Sequence, residues 1–288
     1  MPRRMLITGA NGLLGREMFD AFHGDYEVRA AGRRDCDVTS PTECRRAIGG
    51  FRPDVVVHCA AYTAVDKAEV EEGRAIEVNR DGTRNVAREC RGHGAFLVAF
   101  GTDYVFDGAS SVPYSEDDAA RPLSAYGRSK WAAEEALRAE TPDHLLIRSQ
   151  WLYGPHGRNF VYAILDKAGR GEPLRVVSDQ KGCPTYARDL AAATRRLLTA
   201  GARGTFHFSN DGEATWYEFA AFLLEHSFRE PVSLEPARSA DLSYPAPRPA
   251  YAVLSTEKYR RATGALPRRW EDAVLEFLKT ARERRTDR

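Results

Sequence analysis

The fold is decided by the stretch Arg4-Met5-Leu6-Ile7-Thr8-Gly9-Ala10-Asn11-Gly12-Leu13-Leu14-Gly15. A short apolar strand runs into glycines at positions 9, 12 and 15, and a helical pattern follows. Glycine permits a tight turn, lets the backbone approach a pyrophosphate and lets the helix pack closely on the strand. The helix N-terminus then presents free N–H groups and a partial positive charge to an anion. On the first strand-to-helix turn of a chain this triplet indicates a dinucleotide site, although its G-x-x-G-x-x-G spacing differs from the commoner G-x-G-x-x-G.

Strand and helix patterns alternate through the rest of the first half. Apolar runs typical of buried parallel strands lie at 55–61, 95–100 and 144–148, with helical patterns between them. Alternation over about 150 residues predicts an α/β fold, a Rossmann-type doubly wound parallel sheet with a smaller C-terminal α/β domain.

We expect the first domain to span residues 1–148, with segments around 186–200 and 231–254 returning to it. Residues 149–288 should form mainly the second domain. The proline-rich segment 231–249 is predicted to be a long loop that crosses between the domains. The charged tail 281–288 is expected to fray.

Composition excludes several classes of protein. Lys+Arg number 42 and Asp+Glu 41, so a net charge of +1 argues against binding to nucleic acid or to a membrane surface through bulk charge. No apolar run approaches the roughly 18 residues that span a bilayer, and the N-terminus shows no signal-peptide pattern. The five cysteines have neither metal-ligand nor disulfide spacing. We therefore expect free thiols and a cytoplasmic location.

The end of the second strand bears on the choice of cofactor. NAD-selective sites place an acid at this point, but here the chain reads Gly32-Arg33-Arg34. An arginine pairs well with a 2′-phosphate and stacks on adenine, so the pattern favours NADP. The alternative is a solvated basic loop. Asp37 and Val38 are then expected to contact adenine.

A second motif is Leu123-Ser124-Ala125-Tyr126-Gly127-Arg128-Ser129-Lys130, ahead of good helix formers. Tyr126 and Lys130 would lie one turn apart on one helix face. A nearby ammonium favours the phenolate, so we expect Lys130 to lower the pKa of Tyr126 and to make it a proton donor or acceptor near neutral pH. The pair alone occurs often by chance, and the order of the surrounding elements gives it weight.

Longer blocks carry a resemblance to a known family. They are Ala60-Ala61-Tyr62-Thr63-Ala64-Val65-Asp66-Lys67-Ala68-Glu69, Thr102-Asp103-Tyr104-Val105-Phe106-Asp107-Gly108, Asp179-Gln180-Lys181-Gly182-Cys183-Pro184-Thr185 and Thr215-Trp216-Tyr217-Glu218-Phe219-Ala220. With the glycine block and the Tyr/Lys pair, the chain resembles the extended short-chain dehydrogenase/reductases, and among them the dTDP-4-dehydrorhamnose reductases.

The resemblance implies three catalytic residues. Thr102 would hydrogen-bond the reacting oxygen, Tyr126 would protonate the C4 carbonyl oxygen as hydride arrives, and Lys130 would hydrogen-bond the nicotinamide ribose. NADPH is the implied cofactor, and NADH is a possible substitute. The implied cofactor-binding residues are Gly9, Asn11, Gly12, Leu13, Leu14, Gly15, Arg33, Arg34, Asp37, Val38, Ala60, Ala61, Tyr62, Tyr126 and Lys130.

The resemblance also implies a nucleotide-sugar substrate. Trp151 would pack against the sugar ring, and Arg248 would lie near the phosphates. The full implied set of substrate-binding residues is Thr63, Val65, Thr102, Asp103, Val105, Phe106, Tyr126, Trp151, Asn159, Gln180 and Arg248.

The residue after Asp103 favours net reduction. Related sugar dehydratases carry Asp-Glu after this threonine, whereas here Tyr104 follows Asp103. The implied reaction is reduction of dTDP-4-dehydro-β-L-rhamnose to dTDP-L-rhamnose. Two alternatives stay open: a C4 reductase of another dTDP-4-keto-6-deoxysugar, and a non-catalytic regulatory subunit like that of methionine adenosyltransferase.

Some members of the family hold magnesium between two subunits through glutamates. Glu17 lies near one such position, but Tyr186-Ala187-Arg188-Asp189 offers no matching glutamate. We therefore expect no metal, and a monomer or a homodimer. The sequence assigns no role to His58 or Cys59.

Overall fold

A computed structural model describes residues 3–286 of the chain. Its strands are β1 (Arg4–Thr8), β2 (Glu27–Ala31), β3 (Val55–His58), β4 (Phe96–Thr102), β5 (His144–Ser149), β6 (Leu152–Tyr153), β7 (Leu174–Val177), β8 (Lys181–Gly182), β9 (Thr185–Tyr186), β10 (Gly204–His207), β11 (Ala214–Thr215) and β12 (Leu234–Ala237). Its α-helices are α1 (Leu13–Phe22), α2 (Pro41–Phe51), α3 (Val65–Ala68), α4 (Glu72–Ile76), α5 (Gly82–His93), α6 (Ala125–Glu140), α7 (Phe160–Gly169), α8 (Ala187–Thr199), α9 (Trp216–Ser227), α10 (Glu257–Thr263) and α11 (Trp270–Thr286).

A six-stranded parallel sheet in the order β10-β5-β4-β3-β1-β2 forms the centre of the molecule. Successive side chains of a strand point to opposite faces, and β1 shows the consequence. Met5 and Ile7 pack with α1, α8 and α10 on one face, whereas Leu6 packs with α2, α5 and α6 on the other. Both faces are covered by helices, as predicted for a doubly wound fold.

The second half builds a smaller unit from three two-stranded sheets, β11-β8, β12-β7 and β6-β9. Its core is aromatic, with Tyr153, Tyr186, Phe219, Trp270 and Phe277 packed together. The two halves are interleaved along the chain, because β10 pairs with β5 in the central sheet and α8 packs on the same core as α1.

Two segments differ from the sequence expectation. The segment 231–249 is not simply a loop, because it contains β12, which pairs in parallel with β7. Pro236 lies in this strand, and proline is tolerated on an edge strand because the missing N–H faces away from the ladder. The tail was expected to fray from residue 281, but α11 extends to Thr286. The last two residues of that tail lie outside the described part of the chain.

All five cysteines are free in the structure. Within residues 3–286, no helix combines the length and the apolar character needed to cross a lipid bilayer.

Candidate active site

The glycine turn packs the start of α1 tightly against the carboxyl ends of β1 and β3. Gly9 has φ +65°, and a Cβ there would lie 2.5 Å from the backbone nitrogen of Ala60. A Cβ on Gly15 would lie 2.7 Å from the Cα of Ala10. Neither position has room for a side chain, so the turn offers bare backbone and a helix N-terminus to a ligand.

A cavity of about 520 Å³ lies beside this turn. Arg33 lines it, with a side chain 74% exposed and Nε 3.4 Å from the Asp37 carboxylate. Arg34 is exposed in the turn after β2 and, unlike Arg33, does not line the cavity. The expected cofactor residues that do line it are Gly9, Asn11, Gly12, Arg33, Asp37, Val38, Ala60, Ala61 and Tyr62.

Charged residues of α3 and α4 complete this cavity, and the sequence analysis missed them. Lys67, Glu71 and Arg74 all line it. The Tyr62 hydroxyl donates to Glu71 Oε2 at 2.9 Å, and Lys67 Nζ lies 2.7 Å from Glu71 Oε1. The spacing of Lys67 and Glu71, four residues apart, was the available signal.

A second cavity of about 440 Å³ adjoins the first, since Gly12, Cys59 and Ala61 line both. The expected residues that line the second cavity are Leu13, Leu14, Gly15, Thr63, Val65, Thr102, Asp103, Tyr126, Lys130, Trp151 and Asn159. It also includes residues that were not expected, among them Tyr104, Ser149, Gln150 and Arg158.

Local capping places Tyr126 beside Thr102. Ser124 caps α6 by accepting the N–H of Gly127 at 3.1 Å, so Tyr126 lies in the first helical turn. A side chain on Gly127 would collide with the carbonyl oxygen of Tyr104, which shows how closely α6 packs on the segment after β4. Thr102 and Tyr126 line the same cavity, and the Thr102 side chain favours the ionised form of the phenol.

Burial controls the protonation of the Tyr/Lys pair. It raises the pKa of Tyr126 to about 12, and the Thr102 side chain offsets only part of that. It lowers the pKa of Lys130 to about 8, and Lys130 Nζ donates to the carbonyl of Phe100 at 2.7 Å. The expectation that Lys130 lowers the pKa of Tyr126 is not met in this structure, because desolvation of the phenol raises that pKa and the nearby charge that acts on it, the Asp103 carboxyl, raises it as well.

Asp103 adds a buried carboxyl to the same cavity. Its Oδ1 accepts the Thr102 hydroxyl at 3.0 Å, and its side chain is 2% exposed. Burial raises its pKa to about 7. Thr102 is thus hydrogen-bonded to a carboxyl at the wall of the cavity that Tyr126 also lines.

Asn79 connects the cofactor side to α6, and the sequence analysis missed it as well. It lies in a π-helical turn, Glu77–Asp81, between α4 and α5. Its Oδ1 accepts the N–H of Tyr62 at 2.8 Å, and its Nδ2 donates to Ser129 Oγ at 2.8 Å. A π turn often marks a functional segment, but only the structure reveals it.

Trp151 and Asn159 bring the second half to the cavity. Trp151 has φ +45°, and its ring stacks on Trp216 with centroids 3.6 Å apart. Asn159 caps α7 by accepting the N–H of Tyr162 at 3.3 Å.

Four expected substrate residues line neither cavity. Val105 and Phe106 are fully buried, and Phe106 stacks on Tyr114 in a separate core cluster. Gln180 is 5% exposed and donates to Ser239 Oγ at 2.9 Å. Tertiary packing uses these three side chains for the core and for loop anchoring.

Arg248 is the fourth. Its Nη2 lies 2.8 Å from the Asp66 carboxylate, and its guanidinium lies over the ring of Tyr244 at 4.0 Å. This ion pair connects the loop after β12 to α3, so Arg248 is committed to a contact within the protein.

His58 is held neutral in the core. It lies between Thr8 Oγ1 at 2.7 Å and Thr83 Oγ1 at 3.2 Å. Burial and the nearby charge of Lys130 lower its pKa to about 3.

The group around Glu17 does not suit a divalent cation. Glu17, Asp20 and His156 have ligand atoms within 4.8 Å of one another. However, Arg188 Nε lies 3.7 Å from Glu17 Oε2, and Arg188 Nη1 lies 3.2 Å from Glu276. The Arg188 guanidinium therefore already supplies a positive charge beside Glu17 and Glu276.

A Rossmann-type sheet with a glycine turn, and a Thr–Tyr–Lys cluster at its carboxyl edge, define the class as an extended short-chain dehydrogenase/reductase fold. Residues 3–283 match the RmlD substrate binding domain family. The chain belongs to this family.

Individual relatives of the chain agree with this assignment. The chain is 38% identical over 286 residues to the dTDP-4-dehydrorhamnose reductase of Sinorhizobium fredii, covering 96% of each chain. It is 41% identical over 280 residues to a probable dTDP-4,6-dihydroxy-2-methyloxan-3-one 4-ketoreductase of Streptomyces antibioticus, covering 95% of this chain and 94% of that one. The solved dTDP-4-dehydrorhamnose reductase of Bacillus anthracis, in complex with NADP, superposes with a TM-score of 0.94 at 33% identity and covers 97% of this chain and 100% of its own.

Proposed function

We propose that this protein is an NADPH-dependent oxidoreductase that reduces the C4 keto group of dTDP-4-dehydro-β-L-rhamnose to give dTDP-L-rhamnose, the last step of dTDP-rhamnose biosynthesis. One observation carries the proposal. The buried Thr102, Tyr126 and Lys130 face a cavity that adjoins the cavity beside the glycine turn. A cofactor in one cavity and a sugar in the other would meet at these three side chains.

The cofactor assignment follows from the residues of the first cavity. Bare backbone at Gly9 and the N-terminus of α1 suit a pyrophosphate. The exposed Arg33 suits a 2′-phosphate, which favours NADPH and leaves NADH as the poorer substrate. When bound, NADPH supplies the hydride.

The residues of this chain supply the proton and the alignment. Tyr126 is protonated at neutral pH because burial raises its pKa to about 12, so it donates a proton to the C4 oxygen. Thr102, which lines the same cavity as Tyr126, would hydrogen-bond the same oxygen. Lys130 would hydrogen-bond the cofactor's ribose.

The wider assignment has three parts. Residues 1–148 form the cofactor domain, to which later segments return, and 149–288 form mainly the substrate domain. The protein works in the cytoplasm as a monomer or a homodimer on a small nucleotide-sugar, without nucleic acid or a membrane as a partner.

A second candidate is the reduction of a different dTDP-4-keto-6-deoxysugar at C4. The 41% identical relative from Streptomyces antibioticus carries a name of that kind. The Thr–Tyr–Lys cluster would serve both reactions, because it acts on the keto oxygen and not on the stereochemistry of the ring.

The test is oxidation of NADPH, followed by its absorbance, with dTDP-4-dehydrorhamnose made in situ and NADH run in parallel. Turnover with dTDP-L-rhamnose as product supports the first candidate. Turnover only with another dTDP-4-ketosugar supports the second. Tight NADPH binding without turnover of any ketosugar would contradict both and favour a binding subunit.

A further inference from the structure

One face of α6 carries a third buried polar residue that the proposed mechanism does not use. Tyr126, Lys130 and Glu134 follow one another at intervals of four residues, so they lie in a row on the helix. They are 9%, 8% and 2% exposed. A carboxylate is rarely this buried unless its charge is balanced.

The Glu134 carboxylate is held rigidly by two arginines. Its Oε1 accepts Arg148 Nε at 3.0 Å, and its Oε2 accepts Arg148 Nη2 at 2.8 Å, which makes the pair bidentate. Arg138 Nη2 also donates to Oε2 at 2.7 Å. Arg148 lies on β5 and is itself 2% exposed.

This ion pair packs behind the strand end that holds the catalytic residues. A Cβ on Gly101 would lie 2.7 Å from Glu134 Oε1 and 2.7 Å from Arg148 Cγ. Gly101 stands between Phe100, whose carbonyl accepts Lys130 Nζ, and Thr102. The position of the ion pair is therefore coupled to the positions of Phe100 and Thr102.

Lys130 and Glu134 also face one small cavity of about 30 Å³. His58 and Thr83 line the same cavity. A space of this size, bordered by several polar groups, has room for a water molecule that would bridge the ammonium and the carboxylate.

The other titratable groups around Lys130 carry no full negative charge at neutral pH. On β3, burial keeps His58 neutral and raises the pKa of the Cys59 thiol well above its usual range. After β4, burial raises the pKa of Asp103 to about 7. The phenol of Tyr126 stays protonated. Among the described groups that face Lys130, the Glu134 carboxylate is the one that most raises the pKa of Lys130, against the lowering effect of burial.

We propose that Glu134 is a positioning residue for Lys130, whose buried carboxylate keeps the Lys130 ammonium charged and held against the carbonyl of Phe100. The catalytic importance of that ammonium rests on the proposed function. The placement of Glu134 does not, because it follows from the fold of α6, β4 and β5.

The test compares Glu134→Gln with Glu135→Gln, the same change at the neighbouring exposed position of α6. The activity of the wild type should fall as pH rises through the pKa of Lys130, near 8. In Glu134→Gln this alkaline limb should move down by about one pH unit, because the nearby opposite charge is lost. Glu135→Gln should leave the limb in place, and Glu134→Asp, which keeps the charge, should restore most of it.

A merely structural role would give a different result. It would lower the melting temperature or the turnover of Glu134→Gln at every pH and leave the midpoint of the limb unchanged. That outcome overturns the proposal. Because Glu134→Gln leaves Arg148 buried without its partner, a double variant with Arg148→Met removes both charges and protects the fold. In the double variant the alkaline limb should also move to lower pH. A limb that stays at the wild-type pH would overturn the proposal.

Failure of the proposed function is separable from failure of this inference. If the wild type oxidises no NADPH with any dTDP-ketosugar, the titration of Lys130 itself is followed by ¹⁵N NMR of lysine-labelled protein, assigned with Lys130→Arg. Its midpoint should be lower in Glu134→Gln than in the wild type. Equal midpoints would overturn the role of Glu134, whatever the substrate is.

Discussion

The change Tyr126→Phe removes one oxygen atom from the centre of the site and keeps the ring that packs there. The Tyr126 ring meets the ring of Tyr104 edge-on, with centroids 5.4 Å apart, and phenylalanine preserves this contact. The lost group is the proposed proton donor, and a positioned general acid contributes about 10²- to 10⁴-fold to a rate. We expect kcat to fall by that factor, which corresponds to about 3–5 kcal/mol of transition-state stabilisation.

The assay is steady-state NADPH oxidation, and Tyr104→Phe is the matched control. Tyr104 lines the same cavity, but the Thr102 side chain acts on the phenol of Tyr126 and not on that of Tyr104. Tyr104→Phe should therefore cost less than about tenfold, well short of what a general acid supplies. NADPH affinity, measured by fluorescence titration, should be close to wild type in both variants. A Tyr126→Phe enzyme with near-normal kcat, or an equal loss in Tyr104→Phe, would refute the assignment of Tyr126 as the donor.

Three further predictions test the cofactor turn and the core. Arg33→Asp should shift preference from NADPH towards NADH by roughly tenfold or more through the lost 2′-phosphate pair, and an unchanged ratio of kcat/KM values removes that role. Gly15→Ala should weaken NADPH binding and lower the free energy of unfolding by about 1–3 kcal/mol through overpacking. Gly24→Ala is the control, because a Cβ at Gly24 would have no heavy atom within 4 Å, and calorimetry should show neither effect for it. The pKa of His58 is lowered to about 3 in the folded state, so between about pH 6.5 and 3 the unfolded chain binds one more proton than the folded chain. The free energy of unfolding should therefore fall by about 1.4 kcal/mol for each pH unit over that range. Urea denaturation at several pH values should show a shallower slope in His58→Gln, and equal slopes would contradict a buried neutral imidazole.

Local sequence signals were enough to predict structural features that depend on neighbouring residues. The glycine turn and the row of Tyr126 and Lys130 depend on spacing within one turn or one helix, and the structure places both as the spacing predicts. The alternation of apolar strands and helices predicted the doubly wound sheet for the same reason. These features need only the periods of the helix and the strand.

Residues whose partners lie far along the chain are harder to place. Arg248 was expected near the phosphates, and the sequence did not show that the fold pairs it with Asp66, 182 residues away. The pKa of Tyr126 was expected to fall because Lys130 is close in sequence, yet burial by the whole fold decides its direction. β12 was missed because a proline-rich segment becomes a strand only when an edge such as β7 is there to pair with it.

The substrate side of the site shows most clearly why sequence alone is insufficient there. Trp151 adopts φ +45°, a conformation that costs a non-glycine residue about 1–3 kcal/mol and persists only where its surroundings impose it. Its ring stacks on Trp216, and a Cβ on Gly182 would lie 2.6 Å from its Cε2. β8 and β11, which carry Gly182 and lead into Trp216, pair with each other. The backbone strain at Trp151 is therefore offset by contacts from two other segments, and those segments fix where the indole meets the cavity. Changes at Trp216 or Gly182 should therefore move the Trp151 indole at the cavity wall without touching Thr102, Tyr126 or Lys130.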